Sequence, residues 1–262
     1  MTAPVTAPAR HRPVAPFGRL LRSELALAVA RPRTAVALGA LALVPVLAAI
    51  GLAGSAGAGA HALGVLMVAN SEPAAFSLGM PVVLVAADAF AAERARRTLD
   101  GLRLAPVGPG RLVALKAAGV TVAAGLAAVT ASAVGTAAGL LVLGPGPYGV
   151  GSTLARAALV AVWMTGQLAG LGMLLLAVSA AVRRPAVAVA VGLAATTVAP
   201  TAGVLWDPMA PLLPSGHWHE VLAAVTAVPP DLGSLGATAL RAAGFAVAGA
   251  GVTVYLLTRR ET

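Results

Sequence analysis

Few residues in this chain have the chemistry of an active site, and their spacing does not build one. A Walker A loop for ATP ends in Gly-Lys-Ser/Thr, but the single lysine, Lys116, is followed by Ala117. We therefore expect that the chain does not hydrolyse ATP alone, is not an enzyme and binds no cofactor itself. The sequence has no cysteine, which excludes disulfides, thiol nucleophiles and Cys-based metal sites.

One further group of polar residues has the types that bind metal. His217, His219 and Glu220 are close in sequence, and two histidines with a carboxylate can bind zinc. Residues two positions apart do not share a helix face, however, and no second cluster supports these three. A solvated loop is the favoured interpretation, and we predict no metal site.

Two polar side chains interrupt long apolar stretches, where polar groups are costly and often functional. Asp88 has two interpretations: it is a proton or substrate group, or it reaches the cytoplasmic interface or pairs with a nearby arginine, and the second is favoured. Gln167 lies between Gly166 and Gly170, whose spacing favours close helix approach. Asp88 and Gln167 are therefore the candidate polar sites within the membrane.

The composition indicates a membrane protein. Hydrophobic residues make up 59% of the 262 residues and charged residues only 10%, with a mean hydropathy of +0.90. Soluble domains carry about 25% charged residues. This chain has too few charges to cover a surface in water.

The apolar stretches predict an all-α fold. Six of them contain the roughly 20 residues that a membrane-spanning helix needs: Thr34–Gly54, Ala74–Ala92, Leu112–Leu143, Arg156–Val182, Pro185–Trp206 and Leu235–Thr258. They form one predicted six-span domain over residues 34–258, followed by a tail over 259–262. In the lead over residues 1–33, "FGRLLRSELALAVARPRT" predicts an amphipathic helix at the membrane interface. Pro32 suits a sharp turn into the first span.

The basic residues predict the orientation. If six spans alternate, all of the 18 Lys and Arg residues except Arg156 and Arg241 fall on one side. Cytoplasmic segments carry the excess of Lys and Arg. We expect both termini in the cytoplasm and a multi-pass chain in a bacterial inner membrane. The net charge of +9 then reports topology, and nucleic-acid binding is not expected.

The segments on the other side are interpreted from their composition. The first, "SAGAGAHALGVLMVANSEP", is interpreted as a loop. The last covers residues 207–234 and contains "HWHEVLAAVTAV", which is apolar but too short to span a membrane. That run predicts a short re-entrant or interfacial helix.

The segment "ERARRTLDGLRLAPVGPGR", over residues 93–111, is the most charged part of the chain. It predicts a helix that continues the second span into the cytoplasm, is ended by Pro106 and is followed by a Pro-Gly bend. Its leucines form an apolar side among charges, as a contact with a soluble partner requires. The residues expected in that contact are Glu93, Arg96, Arg97, Thr98, Leu99, Asp100, Leu102, Arg103 and Pro106. The alternative is a loop that serves only membrane topology.

This segment resembles the cytoplasmic loop of type 2 ABC exporter permeases, Glu-Arg-Glu-x-Gly-Thr-Leu-Glu-x-Leu-Leu-x-x-Pro-Val-Ser-Arg followed by Gly-Lys. Asp100 takes the place of the third acid, and the matching residues are Glu93, Arg94, Thr98, Leu99, Leu102, Pro106, Val107 and Lys116. The departures are at Ala95, Arg97, Gly101, Arg103 and Gly108-Pro109. The basic lead, the six predicted spans and the basic tail agree with the same family.

The resemblance implies a permease subunit of an ATP-driven exporter. Such a subunit forms half of a translocation pathway, pairs with a second permease copy or homologue, and lies in membrane lipid. It binds separate ABC ATPase subunits, which hold ATP and Mg, through a coupling helix in the loop after the second span. Two alternatives stay open. One is a secondary, proton-coupled transporter, which needs charged residues deep in several spans; the other is a membrane assembly or immunity protein without a transport role.

Overall fold

The computed structural model describes residues 17–55, 60–71, 74–95, 108–205, 213 and 218–259, and within these ranges the ordered elements are helices. They are α1 Phe17–Val29, α2 Pro32–Gly54, α3 Ala62–Asn70, α4 Ala75–Ala87, α5 Pro109–Val142, α6 Gly149–Ala181, α7 Pro185–Leu205, α8 Trp218–Thr226 and α9 Leu232–Thr258. A π-helical turn, Asp88–Ala92, and a last α-helical turn, Glu93–Ala95, continue α4.

Five of these helical stretches are long and apolar enough to cross a membrane: Pro32–Gly54, Ala75–Ala95, Pro109–Val142, Gly146–Ala181 and Leu232–Thr258. The predicted all-α membrane architecture is confirmed to this extent. The remaining predicted span, Pro185–Trp206, falls on α7, in which the apolar stretch Pro185–Ala199 is shorter than the other five. A sixth crossing therefore stays a prediction.

The centre of the bundle is formed by α4, α5 and α6, and α9 packs along α6. Small side chains allow this packing. The buried face of α5 is largely alanine and glycine, including Ala123, Ala124, Ala127, Ala128, Ala131, Gly135 and Gly139. A Cβ placed on Gly170 would lie 2.8 Å from the carbonyl oxygen of Ala242 on α9. The predicted close approach occurs at Gly170, whereas Gly166 has open space beside it.

The amphipathic segment forms α1 as predicted, with Leu20, Leu21 and Leu25 partly buried and Ala28 buried. This side packs on α5. Arg31 is extended (φ −72°, ψ 127°) and Pro32 begins α2, which is where a proline without an N–H is tolerated. The predicted sharp turn is therefore confirmed, and the position of α1 in the headgroup layer stays a prediction.

Both segments that were expected between spans on the other side contain a helix. α8 confirms the short helix predicted within residues 207–234. α3 was not predicted, because the first of these segments was interpreted as a loop. Gly139 on α5 explains its placement, since a Cβ there would lie 2.6 Å from the Cα of Ala62. The missing side chain lets the backbone of α3 rest on α5, and Leu63, Val65, Leu66 and Ala69 are buried.

Candidate functional site

Asp88 lies at the start of the π-helical turn and is 4% exposed. Its Oδ2 accepts from Arg31 Nη1 at 2.5 Å and forms a second ion pair with Arg33. These arginines flank the turn between α1 and α2, so the carboxylate fastens that turn to the end of α4. Of the two interpretations of Asp88, pairing with nearby arginines is the one that the structure supports.

The π-helical turn is held by one hydroxyl from α6. Ser179 Oγ accepts from the backbone N–H groups of Phe90 at 3.2 Å and Ala91 at 3.1 Å, and donates to Ala87 O at 3.2 Å. A π-turn widens the helix and leaves backbone groups to be satisfied from outside, and such turns are frequent at functional sites. Here a neighbouring helix supplies the hydrogen bonds, and the turn sets the direction in which Glu93 and Arg94 leave α4.

Lys116 is the second centre of charge, and it is only 4% exposed. Its Nζ donates to both carboxylate oxygens of Glu24 on α1, at 2.9 and 3.0 Å, and also contacts Glu93 Oε1. Three helical segments therefore meet at one ammonium group. A buried charge needs such partners, because an unpaired one is strongly destabilising.

Arg94 anchors the end of α4 to a fourth segment. Its guanidinium donates to the carbonyl oxygens of Val182 at 2.6 Å and Ala180 at 3.1 Å. The last carbonyls of a helix have no partner within the helix, and a basic side chain can bond to them. Arg94 thereby connects the start of the 93–111 loop to the C-terminal end of α6.

The residues predicted for the partner contact are only partly described. Glu93 is described and binds Lys116, whereas Arg96, Arg97, Thr98, Leu99, Asp100, Leu102, Arg103 and Pro106 lie outside the described residues. The loop is flanked by Glu93 and Arg94 on one side and by Lys116, near the start of α5, on the other. The described residues beside the loop are thereby connected to α1 through Glu24 and to the end of α6 through Val182 and Ala180.

Gln167 borders a groove of about 380 Å³ between α6 and α9, but its side chain bonds to the neighbouring helix. It is 3% exposed, and its Nε2 donates to Thr238 O of α9 at 3.1 Å. One turn earlier on α6, Trp163 Nε1 donates to Leu235 O at 2.8 Å. These two bonds join α6 to α9, so Gln167 contributes to helix association.

The opposite end of the bundle contains a polar arrangement that the sequence analysis missed. Arg156 Nη1 donates to Ala227 O at 3.1 Å and to Val225 O, at the end of α8, and its guanidinium lies 4.9 Å from the Tyr148 ring centre. Arg241 Nη1 binds Glu220 Oε2 at 2.9 Å. The predicted topology places only Arg156 and Arg241 on the side opposite the other basic residues, and both contact α8. Their unusual placement was the feature of the sequence that could have indicated this role.

In the part of the chain that the structure describes, no group of three His, Asp, Glu or Cys side chains comes together that could hold a metal ion. His219 and Glu220 lie in the first turn of α8, and His217 falls outside the described residues. Comparison with protein-family models finds no match, and a search of curated proteins finds no relative.

Proposed function

We propose that this chain is the permease subunit of a type 2 ABC exporter in a bacterial inner membrane, with α7 as the fifth of six spans and both termini cytoplasmic. It would form half of the translocation pathway beside a second copy or a homologue. A separate ATPase subunit would bind the 93–111 loop and hold ATP and Mg. The observation that carries this proposal is the pairing of Glu93 with Lys116, two residues of the matched motif that flank the loop.

The pairing of Glu93 with Lys116 supports a coupling role because it holds together the two helices between which the loop runs. Lys116 binds Glu24 as well as Glu93, and Arg94 binds the end of α6. A loop that served only topology needs its positive charges and no such set of buried contacts. When the ATPase moves the loop, the contacts of Glu93, Arg94 and Lys116 transmit that displacement to the long helices α5 and α6.

Asp88 bears on the alternative of a proton-coupled carrier. A proton carrier needs a carboxylate that alternates between charged and neutral forms during transport. Asp88 is instead paired with two arginines, Arg31 and Arg33. Gln167, the other candidate, cannot ionise. The environments of Asp88 and Gln167 favour an ATP-driven exporter over a proton-coupled carrier.

The test is copurification from native membranes followed by a matched pair of double variants. We expect wild-type chain to copurify with an ATP-hydrolysing subunit identified by activity and peptide mass spectrometry, and to show no ATP turnover when purified alone. Leu99→Glu with Leu102→Glu should abolish copurification but leave the membrane yield unchanged. A carboxylate left unpaired at a dry contact costs on the order of several kcal/mol.

The control is Arg183→Gln with Arg184→Gln, which changes charge in the exposed turn between α6 and α7. This pair should keep the ATPase bound. If the leucine variant retains the ATPase as well as wild type does, the loop serves topology alone and the permease proposal loses its support.

A further inference from the structure

A groove of about 580 Å³ lies between α5 and α6, away from the Lys116 cluster. Its rim is formed by the exposed apolar side chains of Val129, Leu154 and Val162. Its lining is otherwise mostly alanine, with two polar exceptions, Ser132 and Thr136. These two residues are one turn apart on α5 and lie on the same face of that helix.

The hydroxyls of Ser132 and Thr136 have no hydrogen-bond partner among the described residues, although these residues are only 2% and 3% exposed. Other hydroxyls on the same two helices are satisfied locally. Thr121 on α5 donates to Ala117 O at 2.9 Å, and Thr165 on α6 donates to Ala161 O at 2.7 Å. A buried hydroxyl without a partner is costly, so this pair points to an acceptor supplied from outside the chain.

The depth of the pair identifies the class of acceptor. Thr136 follows Lys116 by 20 positions on one continuous helix, which corresponds to about 30 Å. That is about the thickness of the hydrocarbon core of a bilayer. Placing Lys116 and its carboxylates at one boundary of that core puts Thr136 at the other, where the ester carbonyls of lipids are found.

We propose that this groove binds one acyl chain of a bilayer lipid, and that the Ser132 and Thr136 hydroxyls donate to the ester carbonyl oxygen of that chain. The chain would run from Thr136 towards Val129, along the alanines of both helices. A helix from a second copy is the alternative occupant, and the variants below distinguish it from a lipid. Lipid binding here does not depend on whether an ATPase binds the other end of the bundle.

The test measures binding of palmitoyl lysophosphatidylcholine to the detergent-purified full chain by native mass spectrometry, against its ether-linked analogue, which lacks the carbonyl. Wild type should bind the ester form about tenfold more tightly, from two hydrogen bonds of the modest strength found in membranes. Ser132→Ala with Thr136→Val should remove this preference. Thr121→Val, which deletes a locally satisfied hydroxyl from the same helix, should retain it.

Three further variants keep the proposal falsifiable. Thr136→Ser keeps the hydroxyl and should keep most of the preference, whereas Thr136→Val alone should reduce it, so the comparison survives if the double variant fails to fold. Ala158→Phe fills the groove and should weaken binding of both lipids. Equal affinity of wild type for ester and ether, or unchanged binding in Ala158→Phe, overturns the proposal. A shift of Ala158→Phe from dimer to monomer with lipid binding intact assigns the groove to a protomer interface instead.

Discussion

Lys116 and Glu93 form a partly buried contact although 23 positions separate them in the sequence. The intervening residues contain the whole charged loop, so this ion pair closes the loop at its base. Glu24 on α1 approaches the same ammonium group from a third direction. Lys116 therefore connects α1, the end of α4 and α5 through one side chain.

Lys116→Met should lower the free energy of unfolding by about 3 kcal/mol, because it leaves two carboxylates beside each other without their cation. The measurement is thermal unfolding in detergent. Arg183→Met, which removes an exposed basic residue from the turn between α6 and α7, serves as the control and should have little effect. Adding Glu24→Gln and Glu93→Gln to Lys116→Met should recover most of the loss. No recovery in the triple variant would mean that Lys116 acts by packing.

Ser179→Ala should loosen the π-helical turn. It removes the acceptor for the N–H groups of Phe90 and Ala91, and the cost of leaving buried donors unsatisfied is about 2 kcal/mol. Hydrogen exchange at those two amides should become faster. The control is Ser77→Ala on α4, the helix that the π-helical turn continues. Its hydroxyl bonds locally to Ala74 O, so the variant should leave exchange unchanged. Equal protection in both variants would show that the turn holds itself.

Arg156→Met should release α8 much more than Arg241→Gln does. Arg156 is 8% exposed and donates to backbone carbonyls of Val225 and Ala227, and charged hydrogen bonds of this kind contribute about 2 kcal/mol. The Arg241–Glu220 pair is over one third exposed on both sides, where such pairs contribute at most about 1 kcal/mol.

Trp218, at the start of α8, is fully buried and reports this difference. In a background with Trp163→Phe and Trp206→Phe, its emission should shift to the red and become accessible to acrylamide in Arg156→Met. The same background with Arg241→Gln should stay close to wild type. Similar accessibility in the two variants would contradict the assignment of Arg156 as the main anchor of α8.

Asp231 caps the first turn of α9, with Oδ1 accepting from the N–H groups of Gly233 and Ser234. The hydrogen bond from the Ser234 hydroxyl, and then that from its backbone N–H, lower the pKa of the Asp231 carboxyl below its ordinary value of 3.8. Since the folded-state pKa is lowered, the stabilisation is complete above that ordinary value and is lost as the pH falls through the folded-state pKa.

Asp231→Asn keeps an oxygen acceptor but cannot titrate. The difference in melting temperature between wild type and Asp231→Asn should therefore be constant at neutral pH and shrink below about pH 4. A difference that does not change with pH would show that the charge of Asp231 contributes nothing.

The sequence predicted those features that depend on local pattern. Apolar length located five of the helices that can cross a membrane, the Phe17–Val29 segment showed its amphipathic spacing, and Pro32 marked the turn. Asp88 lay close enough to a predicted span end for pairing with arginine to be expected. The helix of α8 was visible because its apolar run is bounded by prolines and charges.

Other features depend on tertiary packing. The meeting of Glu24, Glu93 and Lys116 brings together residues from three helices, and no spacing in the sequence encodes it. α3 is short and its apolar residues follow a glycine-rich stretch, so its helix is favoured by the flat surface that Gly139 provides on α5. Arg156 looked like a residue at the edge of a span, and only the position of α8 gives it backbone partners.

The burial of Lys116 also has a consequence for labelling chemistry. It is the chain's single lysine, and its amine is enclosed by two carboxylates at 4% exposure. Amine-reactive reagents should therefore find no accessible lysine side chain while the base of the loop is closed. The rate at which Lys116 becomes acylated would report how often this end of the bundle opens, without any engineered probe.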